Sequence, residues 1–260
     1  MSNTLNIFSA GVVRKVVSNT IKKWNLIHPE LPTQLTVDGS VDLIRRALSG
    51  EPCDLLILAD DKIIDSMMIP ETTSGYIVFA GNRMVVAANK GHKITTESWK
   101  EKLLDYNATF DHHNPYADPG GYRAVMAMML ADNIENGLSN KLLNHPGHFG
   151  MGNDPEILPE IKYTFDYYTR AAERGATIAE LPEIMNLSND SLATDYATAK
   201  FAVDADNIIT ATPINHALTI PNTTENNTAA KKFAALFLDT DFTEYGFVPR
   251  NITVGEDILK

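Results

Sequence analysis

Residues 5–59, LNIFSAGVVRKVVSNTIKKWNLIHPELPTQLTVDGSVDLIRRALSGEPCDLLILA, read as strand, helix, strand, helix, strand. The strand-like runs are LNIFSA (5–10), QLTVDG (34–39) and CDLLILA (53–59). Between them a helix is predicted from about Val12 to Trp24, with Val13, Val16, Val17, Ile21 and Trp24 as its inner stripe. A second helix is predicted from about Val41 to Leu48, with Ile44, Ala47 and Leu48 inward, Ser40 as its N-cap and Gly50 beyond its end. This alternation is the mark of βαβ units and a largely parallel sheet covered by helices. Both helices start just past the carboxyl end of a strand, at SAG and at DGS, which is where open α/β sheets bind ligands. Two such loops converging make a cleft.

Outward from this stretch, GYIVFAGNRMVVAANKG (75–91) holds two strand-like runs that meet around Gly81 and Asn82. DHHNPYADPGGYRAVMAMMLADNIENG (111–137) is a helix whose buried face carries Tyr122, Val125, Met126, Met129, Leu130 and Ile134, stopped by Gly137. Asp118 fits its N-cap and Pro119 its first position, where a missing N–H costs nothing. Gly120 and Gly121 leave that helix start bare, so its N–H groups are candidates for holding an anion, although a plain cap is the simpler reading of Asp118. A Pro- and Gly-rich insert, NHPGHFGMGNDPEILPE (144–160), precedes the strand-like IKYTFDYY (161–168) and a helix near Thr169 to Arg174. NIITATPINHALTIP (207–221) returns as strand, and NTAAKKFAALFLD (227–239) is an amphipathic helix with Ala230, Phe233, Ala234 and Phe237 inward. The expected organisation is one lobe from residues 1–83 and 209–260 and a second from 84–208, with no internal repeat or low-complexity tract.

The 260 residues carry 33 acidic and 22 basic side chains, a formal net charge of −11, so nucleic acid and anionic lipid are not expected partners. The single cysteine, Cys53, can form no intramolecular disulfide and reads as a buried core thiol. No apolar run approaches the ~20 residues of a membrane span. Strand-like sequence begins at Leu5 without a basic region followed by a hydrophobic stretch. The expected location is periplasmic or extracytoplasmic with a targeting segment outside these residues, or cytoplasmic if Met1 is the native start.

Signatures of catalysis are absent: there is no G-x-x-x-x-G-K-[ST], G-x-S-x-G, H-E-x-x-H or C-x-x-C. His112, His113, His145 and His148 form a histidine cluster, but with no acidic or cysteine partner at ligand spacing they read as loop histidines, and no metal site or cofactor is called for. What remains is a set of small or hydroxyl residues at three predicted helix starts: Ser9 to Val12, Gly39 with Ser40, and Asp118 to Gly121. Helix N-termini supply N–H donors and partial positive charge, which lets a site without arginines bind a small dianion.

The motifs IFSAGVV, DGSVDLIRRAL, LLILADDKIIDSMMIP, IVFAGNRMVVAA, DPGGYRAVMAMMLA, YTFDYYTRAAERG, ELPEIMNLS and ATPINHALTIP occur in an order that resembles the molybdate- and tungstate-binding proteins of ABC importers, especially the archaeal branch. The resemblance spans nearly the whole chain. It implies a type II periplasmic binding protein fold, in which two α/β lobes are joined by a two-strand hinge and hold a tetrahedral oxyanion between them. It also implies an extracytoplasmic monomer that serves an ABC transporter permease and carries out no covalent chemistry. Carried over by position, it makes Ser40 a hydroxyl donor, the backbone at Gly11 and Val12 a second contact, and Gly120 and Gly121 N–H donors. Tyr167 closes the site, and Asp118 is a direct ligand of the metal centre of the oxyanion. Two departures stand out. Val12 replaces a hydroxyl residue, and the place of a second ligand glutamate is taken by the 144–160 insert, where Asp154, Glu156 or Glu160 is the candidate substitute and His145 and His148 are candidate donors. These departures leave an organic anion open as ligand beside molybdate, tungstate and sulfate, and the lack of a signal-like segment leaves a cytoplasmic anion sensor or storage protein open as role.

Overall fold

A computed structural model describes residues 4–150 and 160–260 of the chain. Along the sequence, β1 (Leu5–Ala10) leads through a 3-10 turn (Gly11–Val13) into α1 (Arg14–Ile27), followed by β2 (Thr33–Asp38), α2 (Ser40–Leu48), β3 (Leu55–Leu58), α3 (Asp61–Met67) and β4 (Gly75–Gly81). Then come β5 (Met84–Ala88), α4 (Trp99–Leu104), β6 (Phe110–Asp111), α5 (Pro119–Met129), α6 (Leu138–Leu143), β7 (His148–Phe149), β8 (Tyr163–Tyr167), α7 (Tyr168–Glu173) and β9 (Thr177–Glu180). The chain continues with α8 (Glu183–Asn186), α9 (Ala193–Tyr196), β10 (Lys200–Ala202), β11 (Ile208–Thr210), β12 (Asn215–Thr219), α10 (Asn227–Leu238) and β13 (Val248–Gly255). Two compact units result: Met1–Gly81 with Asn215–Lys260, and Asn82–Ile214.

The first unit is built on a six-stranded sheet in the order β13-β4-β12-β3-β1-β2. β1 is parallel to β2 and β3, while β12 and β13 run antiparallel to their neighbours. LLIL in β3 and GYIVFAG in β4 are buried at every position, the continuous apolar pattern of strands covered on both faces. β2 is the sheet edge and is correspondingly half-exposed. On α1 the buried face is Val16, Val17, Thr20 and Trp24. Ile21 is only half-buried, and Thr20 takes its place because its hydroxyl donates to the Val16 carbonyl and needs no water. α10 packs beside α1, with Trp24 and Phe233 ring centres 5.5 Å apart and Phe237 edge-on to Phe79 at 4.9 Å. Ala230, Phe233, Ala234 and Phe237 are the buried face of α10, as the spacing predicts. α2 differs from expectation: Val41, Leu43 and Ile44 face inward, while Ala47 is half-buried and Leu48, the last residue of the helix, is exposed. Cys53 is buried and free, and burial pushes its thiol pKa up, away from reactivity.

The second unit has a five-stranded sheet, β7-β6-β8-β5-β9, and a separate β10-β11 ladder. β5 is antiparallel to β8 and β9, and β6 is parallel to β7 and β8. α5 is buried on more than one stripe: Tyr122, Ala124, Met126, Ala127 and Met128 are inside, whereas Val125 and Met129 are half-buried and Ile134 is exposed. The helix gives way to a 3-10 turn at Leu130–Asn133, and Gly137, at φ +80°, heads α6 instead of stopping α5. Arg123 is fully buried, its guanidinium donating to the Thr212 carbonyl at 2.9 Å and to the Thr212 hydroxyl at 3.2 Å. Residues 207–221 hold two strands in place of one: β11 pairs with β10 in the second unit and β12 enters the sheet of the first. The chain therefore passes between units at Gly81–Asn82 and Ile214–Asn215, two residues before the expected 83/84 and six after the expected 208/209.

Candidate functional site

In the first unit the three parallel strands β1, β2 and β3 end on the same side, and each hands over directly to a helical segment. The third start, at α3, is capped conventionally: an oxygen of Asp60 accepts the Lys62 N–H at 3.0 Å. The other two have no side-chain cap. Ala10 precedes the first and offers no side-chain oxygen, while Gly39, in place of the expected Ser40, is the N-cap of α2. The N–H groups at Gly11–Val13 and Ser40–Asp42 are thus left to something other than a capping side chain, in the place where a helix dipole favours an anion. Beyond Gly11 there is open space, with no atom within 4 Å of where a Cβ would stand. Val12 is buried.

Ser40 is fully buried in the first turn of α2, and its Oγ accepts the Ala59 N–H at 2.9 Å. The Ala59 carbonyl in turn accepts from His216 Nδ1 at 2.9 Å, which places the ring proton on that nitrogen. Among the described residues the Ser40 hydroxyl donates to nothing, so its proton is available, and a hydroxyl that already accepts a hydrogen bond is a stronger donor. Ser9, also fully buried, donates its hydroxyl to the Ala10 carbonyl.

In the second unit, Asp118, Gly120, Gly121 and Tyr167 come together where β8 ends and α5 begins. Asp118 is the N-cap of α5, its Oδ1 accepting the Gly120 N–H at 2.8 Å, and Pro119 occupies the first position. The Gly121 N–H is donated to the Asp118 carbonyl at 2.9 Å. The expectation that Gly120 and Gly121 offer their N–H groups to a ligand is therefore corrected: both are already engaged within the cap. The glycines are explained by space. A Cβ on Gly121 would lie 2.3 Å from the His113 carbonyl oxygen and 2.6 Å from the Pro115 nitrogen, and one on Gly120 would lie 3.3 Å from both Asp118 Oδ1 and a ring carbon of Tyr167. What remains open on Asp118 is Oδ2, which makes no hydrogen bond among the described residues and lies 4.0 Å from Arg170.

Sequence reasoning missed the charges around this point. Asp166 is fully buried, with Oδ1 accepting the Tyr167 N–H at 2.8 Å and Oδ2 paired with Arg174 at 2.9 Å. Arg170 Nε is 3.7 Å from Asp166 Oδ1, and His113 Nε2 is 4.0 Å from the same oxygen. The D-x-x-x-R spacing of Asp166 and Arg170 is an i,i+4 pair and was the available signal.

The remaining candidates lie elsewhere. Glu160 is exposed and pairs with His92 at 3.3 Å, near the N-terminal end of β8. Tyr167 ends that strand, and the four residue steps from Tyr163 to Tyr167 span about 13 Å. Glu160 is therefore not a second ligand beside Asp118. His148 pairs through β7 with Phe110, level with Tyr163, and its ring stacks on Phe110 at 5.1 Å. Its Nδ1 donates to the Leu143 carbonyl at 3.0 Å, while His145 Nδ1 accepts the Gly147 N–H at 3.0 Å, so both rings are tied into their own loop. His112 donates from Nδ1 to the His113 carbonyl at 2.7 Å, and burial pulls its pKa down to about 4. Among the described residues no three His, Cys, Asp or Glu side chains are placed to hold a metal. Asp154 and Glu156 lie outside the described residues.

Residues 5–247 match the family model described as bacterial extracellular solute-binding protein. The chain belongs to this solute-binding family. A solute-binding protein of Petrotoga mobilis, itself uncharacterised, is 31% identical over 245 residues, 87% of this chain and 76% of that protein. The molybdate/tungstate-binding protein WtpA of Pyrococcus abyssi is 36% identical over 101 residues, 36% of this chain and 29% of its own. The substrate binding domain of a putative molybdenum ABC transporter from Clostridium difficile is a structural neighbour with TM-score 0.60 at 16% identity, covering 94% of this chain and 98% of that one. At that identity the likeness shows the fold, which is the periplasmic binding protein fold with α/β units of mixed sheets.

Proposed function

We propose that the protein is the solute-binding component of an ABC importer and carries a small tetrahedral oxyanion, with molybdate or tungstate as first choice. It works outside the cytoplasm with a transporter permease and makes no covalent change in its ligand. The observation that carries the reading is the pair of uncapped helix starts at Gly11–Val13 and Ser40–Asp42, with the unused Ser40 hydroxyl proton beside them. Backbone N–H groups and a hydroxyl hold a dianion without a formal positive charge. In the second unit we assign Asp118 Oδ2 as the oxygen that meets the metal centre of the oxyanion, and Tyr167 as a wall beside it. A metal centre accepts a carboxylate oxygen as a further ligand. Sulfur in sulfate does not, which is why molybdate and tungstate rank above sulfate. The names of WtpA and of the Clostridium difficile domain support the same ligands.

The test is thermal unfolding against molybdate, tungstate, sulfate, phosphate and small carboxylates. Ligand at a hundredfold its dissociation constant stabilises the native state by about 2.7 kcal/mol. Molybdate or tungstate should stabilise the wild type, and Asp118→Ala should lose that gain. No stabilisation by any oxyanion would end the proposal.

A further inference from the structure

Arg170 is unexplained by the role assigned to its neighbours. Its side chain is one-quarter exposed at the start of α7, three residues after Tyr167. The two carboxylates nearest to it are 3.7 Å (Asp166) and 4.0 Å (Asp118) away, and among the described residues its guanidinium donates no hydrogen bond. Asp166 has two nearer partners: Arg174 forms an ion pair with Oδ2 at 2.9 Å, and the Tyr167 N–H donates to Oδ1 at 2.8 Å. Arg83 and Arg46, by contrast, grip their glutamates with two bonds each, at 2.6–2.8 Å. A partly desolvated guanidinium with five unused N–H groups, held beside Asp118 Oδ2, is a donor waiting for an acceptor.

We infer that Arg170 is a ligand-binding residue of the same site, donating to oxygens of the bound anion beside Asp118 and thereby setting which anions the site takes. The inference rests on the proposed oxyanion reading and deepens it. Asp118 alone would repel a dianion; Arg170, close enough to offset that charge, lets the carboxylate approach it. The planar fork favours an anion presenting two oxygens side by side, as tetrahedral oxyanions do.

The test is isothermal titration of tungstate into wild type, Arg170→Met and Arg170→Lys, with the melting temperature of each ligand-free protein measured alongside. Wild-type binding reports on the oxyanion reading itself; the ratio of variant to wild type reports on Arg170. The expected result is at least tenfold weaker binding for Arg170→Met at an unchanged melting temperature, with Arg170→Lys in between because it keeps the charge and loses the fork. Arg170→Met binding tungstate within twofold of wild type overturns the inference and leaves the oxyanion reading standing. If Arg170→Met does not fold, Arg170→Lys decides: several-fold weakening supports a direct contact, and wild-type affinity overturns it. A wild type that binds no tungstate overturns both.

Discussion

Adding one methyl group at Gly121 and one at Gly120 should have opposite consequences, because the two glycines have different neighbours. At Gly121 the new carbon would sit 2.3–2.7 Å from three backbone atoms of His113, Asn114 and Pro115, none of which can rotate away. Relief requires moving that segment from α5 by most of an ångström. Overpacking costs typically 1–3 kcal/mol and here belongs at or above the top of that range. Replacing glycine inside a helix returns about 1 kcal/mol, so Gly121→Ala should lose about 2 kcal/mol or more. For a chain of this size that is a fall of roughly 4–8 °C in Tm. At Gly120 the contacts are 3.3–3.5 Å and all to side chains, Asp118, Tyr167 and His113, which can yield by a few tenths of an ångström. Gly120→Ala should stay within about 1 kcal/mol of wild type. Its methyl group intrudes between Asp118 and Tyr167, so tungstate affinity should fall. Calorimetry of the two variants, each with and without tungstate, reads both quantities. Wild-type stability in Gly121→Ala would refute the account of the His113–Pro115 approach, and unaltered binding in Gly120→Ala would remove that point from the site.

Gly11→Ala meets no atom within 4 Å and should keep or slightly raise Tm, by the equivalent of about 0.4–1 kcal/mol, while weakening oxyanion binding in a titration. Ser40→Ala leaves the Ala59 N–H without its acceptor; it should cost about 1–3 kcal/mol in denaturant unfolding and weaken ligand binding as well. Phe237→Ala, at a fully buried position against Phe79 and Phe242, should cost about 3–5 kcal/mol without altering ligand choice. His112, held near 4 by burial against 6.5 when unfolded, stays neutral in the native state while the unfolded chain takes up a proton. Stability should therefore be lost as pH falls from about 6.5 to 4, by up to about 3 kcal/mol, and His112→Gln should flatten that part of the profile in pH-dependent unfolding.

The βαβ order of residues 5–59 was legible because β3 is apolar throughout, β1 is mostly apolar and α1 carries a regular stripe. Where the buried face of α5 was misassigned, as at Val125, the helix packs on more than one side and a single stripe no longer marks the inside; Leu48 is exposed because it ends α2. The division of 207–221 into two strands was hidden because both halves are equally strand-like; only their pairing separates β11 from β12. At the site, Asp118 and Pro119 announced the cap. The engagement of the Gly120 and Gly121 N–H groups, and the role of Gly121 in admitting the His113–Pro115 backbone, depend on a segment whose approach no local pattern encodes. Asp166, Arg170 and Arg174 looked like an ordinary helix start, and only the end of β8 beside α5 brings them to Asp118.

The most direct test of the central claim is the stoichiometry and selectivity of oxyanion binding, measured by isothermal titration of tungstate into the ligand-free protein with and without excess sulfate. The account predicts one tungstate per chain, retained against sulfate and lost in Asp118→Ala. Binding that is absent, or displaced by equimolar sulfate and indifferent to Asp118→Ala, would contradict it.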